Sequence, residues 1–482
     1  MFFNSVTFLY FFLLVGVVYY ATPHRFRWIP LLVGSYVFYG FFDVRYLIYL
    51  ALPTIVVFLL GRALNRTKGQ AIRKWMFLGG IVASIGLLFW FKYLNLFRET
   101  FGGLFVAGGL KPLQMILPIG ISFYSFKLVS YLADVYLERL PAERHMGYFA
   151  LYVSFFPQLL AGPIDRAISF IPELKKRVEL DWERIGSGVQ LIIWGLFKKI
   201  VIADRMALFV DQVFRDPAHY NGVNLLFGVY FYTVQIYCDF SGYSDIAIGL
   251  ARILGFKSMD NFNFPYFSRS LTQFWNRWHI SLSTWLRDYL FLPISYSILR
   301  WTKKETFLNV KIEKWAYAGG MSVTMFLGGL WHGASWTFVG WGLIHGFYLV
   351  FAHFSKRSRK RWARKLGIKK RPRLYAFWQG FVTFHLVSFA WIFFRAPTFT
   401  AAVNYIRNIN VGLSGSGMVH LLYTLLFMAV FAILETALFN RERFGFVKRM
   451  PALARLAAIV LFVCLTIIFS VDSSNEFIYF QF

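Results

Sequence analysis

The sequence predicts an all-α, polytopic membrane protein. Of its 482 residues, 58% are hydrophobic and only 15% are charged, and the mean hydropathy is +0.53. A soluble domain usually has about 45–50% apolar and about 25% charged residues. The apolar residues form long runs, whereas an outer-membrane barrel shows alternation over strands of ~10 residues. This composition excludes a soluble enzyme, a disordered chain and a disulfide-rich secreted domain.

Apolar runs separated by polar breaks define the predicted helices. The first, Met1–Tyr20, lacks a basic leading region and a cleavage site, so we expect a retained span rather than a signal peptide. The other predicted segments are Ile29–Gly40, Tyr46–Leu60, Trp75–Phe91, Met115–Leu137, Tyr148–Leu160, Gly188–Ile202, Asn224–Tyr237, Ile246–Leu254, Leu282–Ile298, Ala316–Leu330, Thr337–Phe354, Phe377–Phe394, Leu421–Phe439 and Ala454–Ser470.

Several of these segments are shorter than the ~20 residues that a membrane span requires. Tyr148–Leu160 and Ile246–Leu254 in particular are typical of broken or re-entrant helices, which membranes tolerate where protein buries them. We therefore expect about eleven spans plus several re-entrant segments. The sequence has no tandem repeat, so it predicts a single integral domain over residues 1–482, with a core of about 1–400 and C-terminal helices in 401–482.

Basic residues outnumber acidic residues by 51 to 23, which gives a formal charge of +28. Nucleic-acid binding is not expected, because the bases cluster between apolar runs, as in the short cytoplasmic loops of membrane proteins. The largest cluster, Lys356–Arg373, contains no acidic residue and should be cytoplasmic. The simplest interpretation is that these clusters set the membrane topology of the chain and contact anionic membrane lipid. An alternative is that one of them binds an anionic cytoplasmic donor such as acetyl-CoA.

Ionisable residues in an apolar context indicate function, because their burial is costly. The densest such stretch is 235–293. If the chain is helical there, Asn276 and His279 share one face, three residues apart. The other polar candidates in this stretch are Asp239, Tyr243, Asp245, Arg287 and Asp288.

A second cluster surrounds His332, which ends the run Met321–Leu330 and is flanked by Trp331 and Trp336. The glycines Gly328, Gly329 and Gly333 would allow close backbone approach. A neutral imidazole accepts a proton near pH 7, which suits a general base. The alternative for His332 and His279 is a packing role, and His345, His353, His385 and His420 are assigned structural roles.

No soluble catalytic motif is present: the sequence lacks GxSxG, a P-loop, a Rossmann glycine pattern and HExxH. No metal site is expected, because the histidines and carboxylates lack ligand spacing. Cys238 and Cys464 lie in apolar segments, so no disulfide framework is indicated.

Taken together, these motifs resemble the membrane-bound O-acyltransferase family, and within it the bacterial alginate O-acetyltransferase group. The resemblance covers roughly residues 1–400. It depends on six stretches: Leu117–Tyr124, Tyr152–Pro163, Gly195–Lys199, Gln235–Gly249, Phe274–Leu290 and Gly328–Phe338. One departure follows Pro293, where relatives often carry Gly-Gly-Asn-Arg and this chain reads Ile294–Arg300.

The resemblance implies tilted helices around a central tunnel in a bacterial cytoplasmic (inner) membrane. It implies that His332 is the catalytic histidine and His279 a second, supporting one. Acetyl would pass from acetyl-CoA or another cytoplasmic acyl thioester toward an exported, alginate-like polysaccharide, with a periplasmic or extracellular SGNH-type transferase as partner and no tightly bound cofactor. Tunnel or support roles fall to Asn276, Asp239, Tyr243, Asp245, Arg287, Asp288, Trp331 and Trp336.

Two alternatives remain open from the sequence. One is a D-alanyl transferase that acts on teichoic acid from a carrier protein. The other is a transporter without chemistry, although transporters often show internal repeats with paired interruptions, which are absent here.

Overall fold

Helices form nearly all the regular structure of a computed structural model, which describes residues 1–102, 117–220, 222–302, 305–409, 418–440, 451–469 and 477–478. The strands in these residues are β1 (Thr306–Phe307) and β2 (Val310–Lys311), a short antiparallel pair. Contacts divide the chain into two units, Met1–Gly195 with Tyr243–Asp260, and Leu196–Gly242 with Asn261–Phe482. The all-α class is confirmed, and the single domain stays a prediction.

Ten of the described α-helices lie between the N-terminus and Leu196, next to the first boundary between the two units. They are α1 (Val6–Ala21), α2 (Trp28–Gly40), α3 (Tyr46–Arg66), α4 (Gln70–Leu88), α5 (Leu94–Phe101), α6 (Ile121–Tyr136), α7 (Met146–Ser154), α8 (Phe156–Leu159), α9 (Ala167–Lys175) and α10 (Trp182–Leu196). Short 3₁₀ turns lie at His24–Phe26, Pro217–His219, Pro265–Phe267 and Ile368–Lys370.

The remaining helices follow in chain order. They are α11 (Asp204–Arg215), α12 (Gly222–Ile253), α13 (Leu271–Trp275), α14 (Ile280–Leu286), α15 (Leu292–Trp301), α16 (Ile312–His332), α17 (Trp336–Phe354), α18 (Lys356–Lys365), α19 (Pro372–Arg395), α20 (Phe399–Asn408), α21 (Met418–Asn440) and α22 (Ala452–Ile468). Three π-helical segments, Phe89–Tyr93, Phe197–Ala203 and Arg287–Phe291, join α4 to α5, α10 to α11 and α14 to α15.

Five helical stretches of the described chain are long and apolar enough to cross a membrane. They are Tyr46–Arg66, Gln70–Phe101, Trp182–Arg215, Trp336–Phe354 and Pro372–Arg395. Shorter apolar helices cover Val6–Ala21, Thr424–Phe439 and Leu456–Ile468. The protein is therefore a multi-pass membrane protein that combines full-length spans with shorter helices. The described residues give five candidate spans, whereas the sequence predicted about eleven.

Breaks in the helices confirm one prediction and correct another. The Tyr148–Leu160 segment is broken as expected, because Phe155 leaves helical geometry between α7 and α8. The prediction of a separate re-entrant segment at Ile246–Leu254 was wrong, since α12 runs unbroken from Gly222 to Ile253. The polar side chains of the stretch that joins the two predicted segments, among them Asp239, Ser241 and Asp245, are buried.

In the first unit, α3, α4 and α6 pack closely on each other. Glycines make this approach possible, because a Cβ on Gly61 would lie 2.8 Å from the ring of Tyr131, and one on Gly80 would lie 2.6 Å from Leu132. In the second unit, α16 packs most extensively on α17, and α17 packs on α19. The second unit thus builds its core around the helix that ends at His332.

Candidate active site

His332 is the last residue of α16, and two glycines at the α16–α17 crossing fix its position. A Cβ on Gly329 would lie 2.4 Å from the carbonyl oxygen of Phe338, and one on Gly342 would lie 2.2 Å from that of Met325. The two backbones are therefore in direct contact. The close approach predicted for this motif is confirmed at Gly329.

The motif glycines on either side of Gly329 contribute differently. A Cβ on Gly333, just after α16, would collide with the ring of Phe338 at 2.1 Å, so this glycine is also required by close packing. Gly328 faces only the flexible side chain of Leu286, at 3.2 Å. Gly329 and Gly333 are therefore required by close packing, whereas the position of Gly328 has room for a small side chain.

Aromatic rings surround the His332 imidazole, whose residue is only 5% exposed. The Trp341 ring lies 5.0 Å away and almost perpendicular, and the Phe394 ring lies 5.3 Å away. Trp341 comes from α17 and Phe394 from α19, so three helices contribute to this enclosure. Such apolar surroundings exclude bulk water and strengthen the hydrogen bonds that an imidazole makes there.

His279 lies between α13 and α14 and is fully buried. Its backbone is left-handed, with φ of 41°. The prediction of one amphipathic helix that places Asn276 and His279 on a common face was therefore wrong. Asn276 ends α13 and is exposed. A left-handed residue is uncommon unless its surroundings hold it, and such strain is frequent at functional sites.

A buried amide holds the His279 ring in place. The His279 Nδ1 lies 3.0 Å from the Asn261 Oδ1, which also accepts hydrogen bonds from the Ser281 backbone N–H at 3.2 Å and hydroxyl at 2.9 Å. Because its partner is an acceptor oxygen, Nδ1 carries the proton. The basic nitrogen of the neutral ring is then Nε2.

Burial also controls the charge of His279, which lies outside the five candidate spans. Loss of solvation lowers the pKa of this imidazole to about 3. The ring is therefore neutral throughout the physiological range.

The two histidines are neighbours across one indole. The Trp331 ring lies 5.9 Å from the His279 ring and 5.0 Å from the ring of its chain neighbour His332. Phe240 of α12 covers another side of His279 at 4.6 Å. The structure thus brings together His279, Trp331 and His332, three residues that the sequence singled out.

Asp239 belongs to a buried ion network. Its Oδ1 lies 2.6 Å from the Lys199 Nζ, which lies 2.9 Å from the Asp204 carboxylate. The backbone N–H of Ile478 donates to the other Asp239 oxygen at 2.9 Å. Asp239 therefore fixes helices and the C-terminal segment, and its chain neighbour Phe240 makes the contact with His279.

The remaining predicted site residues are Tyr243, Asp245, Arg287, Asp288 and Trp336. In the first unit, Tyr243 is buried and stacks on Phe3 at 4.7 Å, and Asp245 is buried in the same helix. Arg287 and Asp288 pair with each other at 2.8 Å in a partly exposed π-helical turn. Trp336 is 46% exposed at the start of α17.

Sequence reasoning missed Asn261, Trp341 and Phe394 because each reaches the histidines across a long loop or from another helix. It also assigned His345 to packing. His345 is fully buried, and its ring lies 4.9 Å from Trp341 and 5.1 Å from Trp275. Among the described residues, neither ring nitrogen has a hydrogen-bond partner. The spacing of Trp341 and His345, four apart on α17, could have indicated this shared face.

Comparison with known proteins places this site in a family. Residues 142–396, more than half of the chain, match the membrane-bound O-acyltransferase family. The chain belongs to the membrane-bound O-acyltransferase family. It is an O-acyltransferase, and both histidines and Asn261 fall inside the matched region.

Individual relatives of this O-acyltransferase carry several activities. It is 37% identical to the probable alginate O-acetylase AlgI of Pseudomonas aeruginosa, over 83% of the chain and 73% of the relative. It is 31% identical to the peptidoglycan O-acetyltransferase of Helicobacter pylori, over 87% and 81%. It is 29% identical to the teichoic acid D-alanyltransferase of Bacillus subtilis, over 74% and 87%. Membership in an acyltransferase family argues against the transporter alternative.

Proposed function

We propose that this O-acyltransferase passes an acetyl group from a cytoplasmic acyl thioester toward an exported or cell-envelope polysaccharide. The observation that carries the proposal is the buried pair of histidines on either side of Trp331, in a membrane chain similar to alginate and peptidoglycan O-acetyltransferases. The acetyl donor is acetyl-CoA or another acyl thioester. The chain resides in the bacterial cytoplasmic membrane.

His332 acts as the general base. One ring nitrogen of His332 takes the proton of the acceptor hydroxyl while the hydroxyl oxygen attacks the thioester carbonyl. A C–O bond forms, the C–S bond breaks, and the leaving thiolate takes the proton back from the imidazolium. The aromatic enclosure by Trp341 and Phe394 limits the access of water, which would otherwise consume the acyl group by hydrolysis.

His279 acts as the supporting group. With Nδ1 directed at Asn261, Nε2 is the ring nitrogen that would accept a hydrogen bond from a reacting hydroxyl. The left-handed backbone and the hydrogen bonds of Asn261 fix the direction of this nitrogen before substrate arrives. Such preorganisation is what a site needs to orient two substrates.

The basic residues support the proposed orientation. The predicted loop at Lys356–Arg373 contains α18 and a 3₁₀ turn, and nearly all of its basic side chains are exposed. An exposed basic stretch between two candidate spans is typical of the cytoplasmic side. The acceptor side is then periplasmic or extracellular, where an SGNH-type transferase partner would receive the acetyl group.

A second candidate function is D-alanyl transfer to teichoic acid. It is favoured by the likeness to the Bacillus subtilis D-alanyltransferase, at 29% identity. The departure after Pro293 also leaves the acceptor open, because α15 continues there as a helix. A donor screen separates the two functions: acetyl-CoA with purified protein supports the first, and turnover only with an aminoacylated carrier protein supports the second.

The central test is acetyl transfer by membranes that contain His332→Ala. We expect the variant to insert normally and to lose transfer of labelled acetyl by at least a hundredfold, as expected for removal of a general base. The matched control is His353→Ala, on α17, an exposed residue whose ring stacks on Tyr317 at 4.1 Å. Full transfer by a stably inserted His332→Ala protein would overturn the catalytic role.

A further inference from the structure

A cationic cleft lies in the first unit, and its lining includes none of the residues to which the proposed acyl transfer assigns a role. It has a volume of about 160 Å³ and is lined by Arg184 of α10, Arg252 of α12 and Lys257 of the loop after α12. The neutral lining residues are Ile248, Gly255, Phe256 and Ser258. The lining therefore carries three positive charges and no carboxylate. Its volume corresponds to about five water molecules.

The end of α12 builds this cleft. The Gly255 N–H bonds to the Arg252 carbonyl at 3.0 Å, and the Phe256 N–H bonds to the Ala251 carbonyl at 2.8 Å. This pair of bonds is a Schellman cap, and Gly255 supplies its left-handed residue, with φ of 88°. The cap turns the chain sharply, so Arg252 and Lys257 lie at the same cleft although they are on opposite sides of the turn.

Arg184 is held rigidly on the other wall. Its Nη2 donates to the Glu179 carbonyl at 2.6 Å and to the Tyr20 hydroxyl at 3.1 Å. Its Nε is buried and has no hydrogen-bond partner among the described residues. A buried guanidinium donor without a partner is costly, so a ligand that accepts this hydrogen bond would bind favourably.

Nearby acids are already engaged. Glu173 pairs with Lys176, and Glu179 lies 3.8 Å from Arg177. The Asp181 carboxylate caps α10 by accepting from the backbone of Glu183 and Arg184.

The Asp165 carboxylate is buried and is linked to the cleft lining through Ser258. It accepts from the Ser258 hydroxyl at 2.7 Å and from the Gln158 amide at 2.6 Å. Within the described part of the chain, Arg252 and Lys257 therefore have no ion-pair partner, and the cleft retains an uncompensated positive charge.

This end of α10 has the character of a membrane interface. Trp182 is 75% exposed and Leu180 is 53% exposed, just before Arg184. Exposed tryptophans beside basic residues are typical of the headgroup region, where both soluble and lipid phosphates are within reach. A phosphate group matches the cleft in charge and in its need for several donors, and guanidinium groups bind phosphate in a fork geometry.

We propose that Arg184, Arg252 and Lys257 bind a phosphate group of a ligand at the membrane surface. The ligand is either a soluble phosphate-bearing compound, such as the nucleotide part of a thioester donor, or a phospholipid headgroup. The site itself does not depend on the proposed acyl transfer, and only its use for donor binding rests on that function.

The test uses full-length protein and the double variant Arg252→Gln/Lys257→Gln, because neither side chain makes a hydrogen bond in the described structure. The control, Arg66→Gln/Lys68→Gln, removes the same charges from exposed positions at the end of α3. In one arm, binding of coenzyme A, pyrophosphate and pantetheine is measured in detergent. In the other, thermal unfolding is compared in phosphatidylcholine nanodiscs with and without phosphatidylglycerol.

For a soluble ligand, we expect the double variant to weaken coenzyme A and pyrophosphate binding by about tenfold or more, with pantetheine unaffected. For a lipid ligand, we expect stabilisation by phosphatidylglycerol in the wild type and in the control, and its loss in the double variant. Identical behaviour of all three proteins in both arms would overturn the proposal. Both arms measure binding without turnover. The His332→Ala protein should therefore give the same results as wild type, and the outcome does not depend on whether the proposed acyl transfer is correct.

Discussion

The Nδ1 atom of His279 lies 3.0 Å from the Oδ1 atom of Asn261, eighteen residues earlier in the chain. This contact sets both the direction of the ring and the nitrogen that carries its proton. It also ties the loop before α13 to the start of α14, since Asn261 accepts from Ser281 as well. The arrangement makes Asn261 a positioning residue for the second histidine.

Replacement of Asn261 by alanine is expected to lower acetyl transfer by about ten- to a hundredfold. The lost hydrogen bonds to a buried group are worth about 1–3 kcal/mol, and about 1.4 kcal/mol corresponds to a tenfold rate change. The effect should fall on kcat more than on KM, because the variant misorients a ring and leaves the binding surfaces in place. Steady-state transfer in reconstituted vesicles measures it.

Asn276→Ala is the matched control for this experiment. Asn276 is exposed at the end of α13, so its replacement should leave kcat within about twofold of wild type, as for most surface substitutions. Equal losses in the two asparagine variants would contradict the assigned role of Asn261.

Lys199→Met is expected to destabilise the protein by about 3–5 kcal/mol, because it leaves the buried carboxylates of Asp204 and Asp239 without their shared cation. The measurement is thermal or denaturant unfolding in detergent. Lys176→Met, which removes an exposed partner of Glu173, should change stability by no more than about 1 kcal/mol. Similar stability of the two variants would show that the buried network contributes little.

Gly329→Ala is expected to separate α16 from α17 and to displace His332. A Cβ there would collide with a backbone oxygen, which cannot move aside like a side chain, so we expect a cost of about 1–3 kcal/mol together with lost transfer. Gly328→Ala meets only the flexible Leu286 and should keep most activity. A fully active Gly329→Ala protein would contradict the close crossing.

His345→Phe is expected to keep or raise thermal stability. The buried imidazole has no hydrogen-bond partner among the described residues, and an apolar ring of similar shape avoids that desolvation cost, worth about 1–3 kcal/mol. The unfolding midpoint in detergent checks this. A lower midpoint than for wild type would show that His345 makes a polar contact in the folded protein.

The sequence was sufficient for the fold class, for most helix positions and for singling out His279, Trp331 and His332, whose rings the structure brings together. These depend on apolar run length and on local motifs. It failed at Asn276, because residue spacing does not reveal a left-handed turn at His279. It also missed that α12 is continuous through its polar part, where Asp239 pairs with Lys199, forty residues away in the chain.

Some predictions fall on residues outside the described ranges. These are the start of the Met115–Leu137 segment, the last residue of the Ala454–Ser470 segment, and the side chain of His420. The helix at Ile121–Tyr136 accounts for the rest of the first.

The π-helical segment Phe197–Ala203 carries Lys198 and Lys199 at neighbouring positions, each with its own buried partner, Ser241 and Asp239. A π-turn is an α-helix that has gained one residue, and each residue rotates the helix by about 100°. Deletion of one residue from this segment would therefore leave a continuous helix, but it would turn the ammonium groups of Lys198 and Lys199 away from Ser241 and Asp239. The length of this part of the chain, and not only its composition, is under physical constraint.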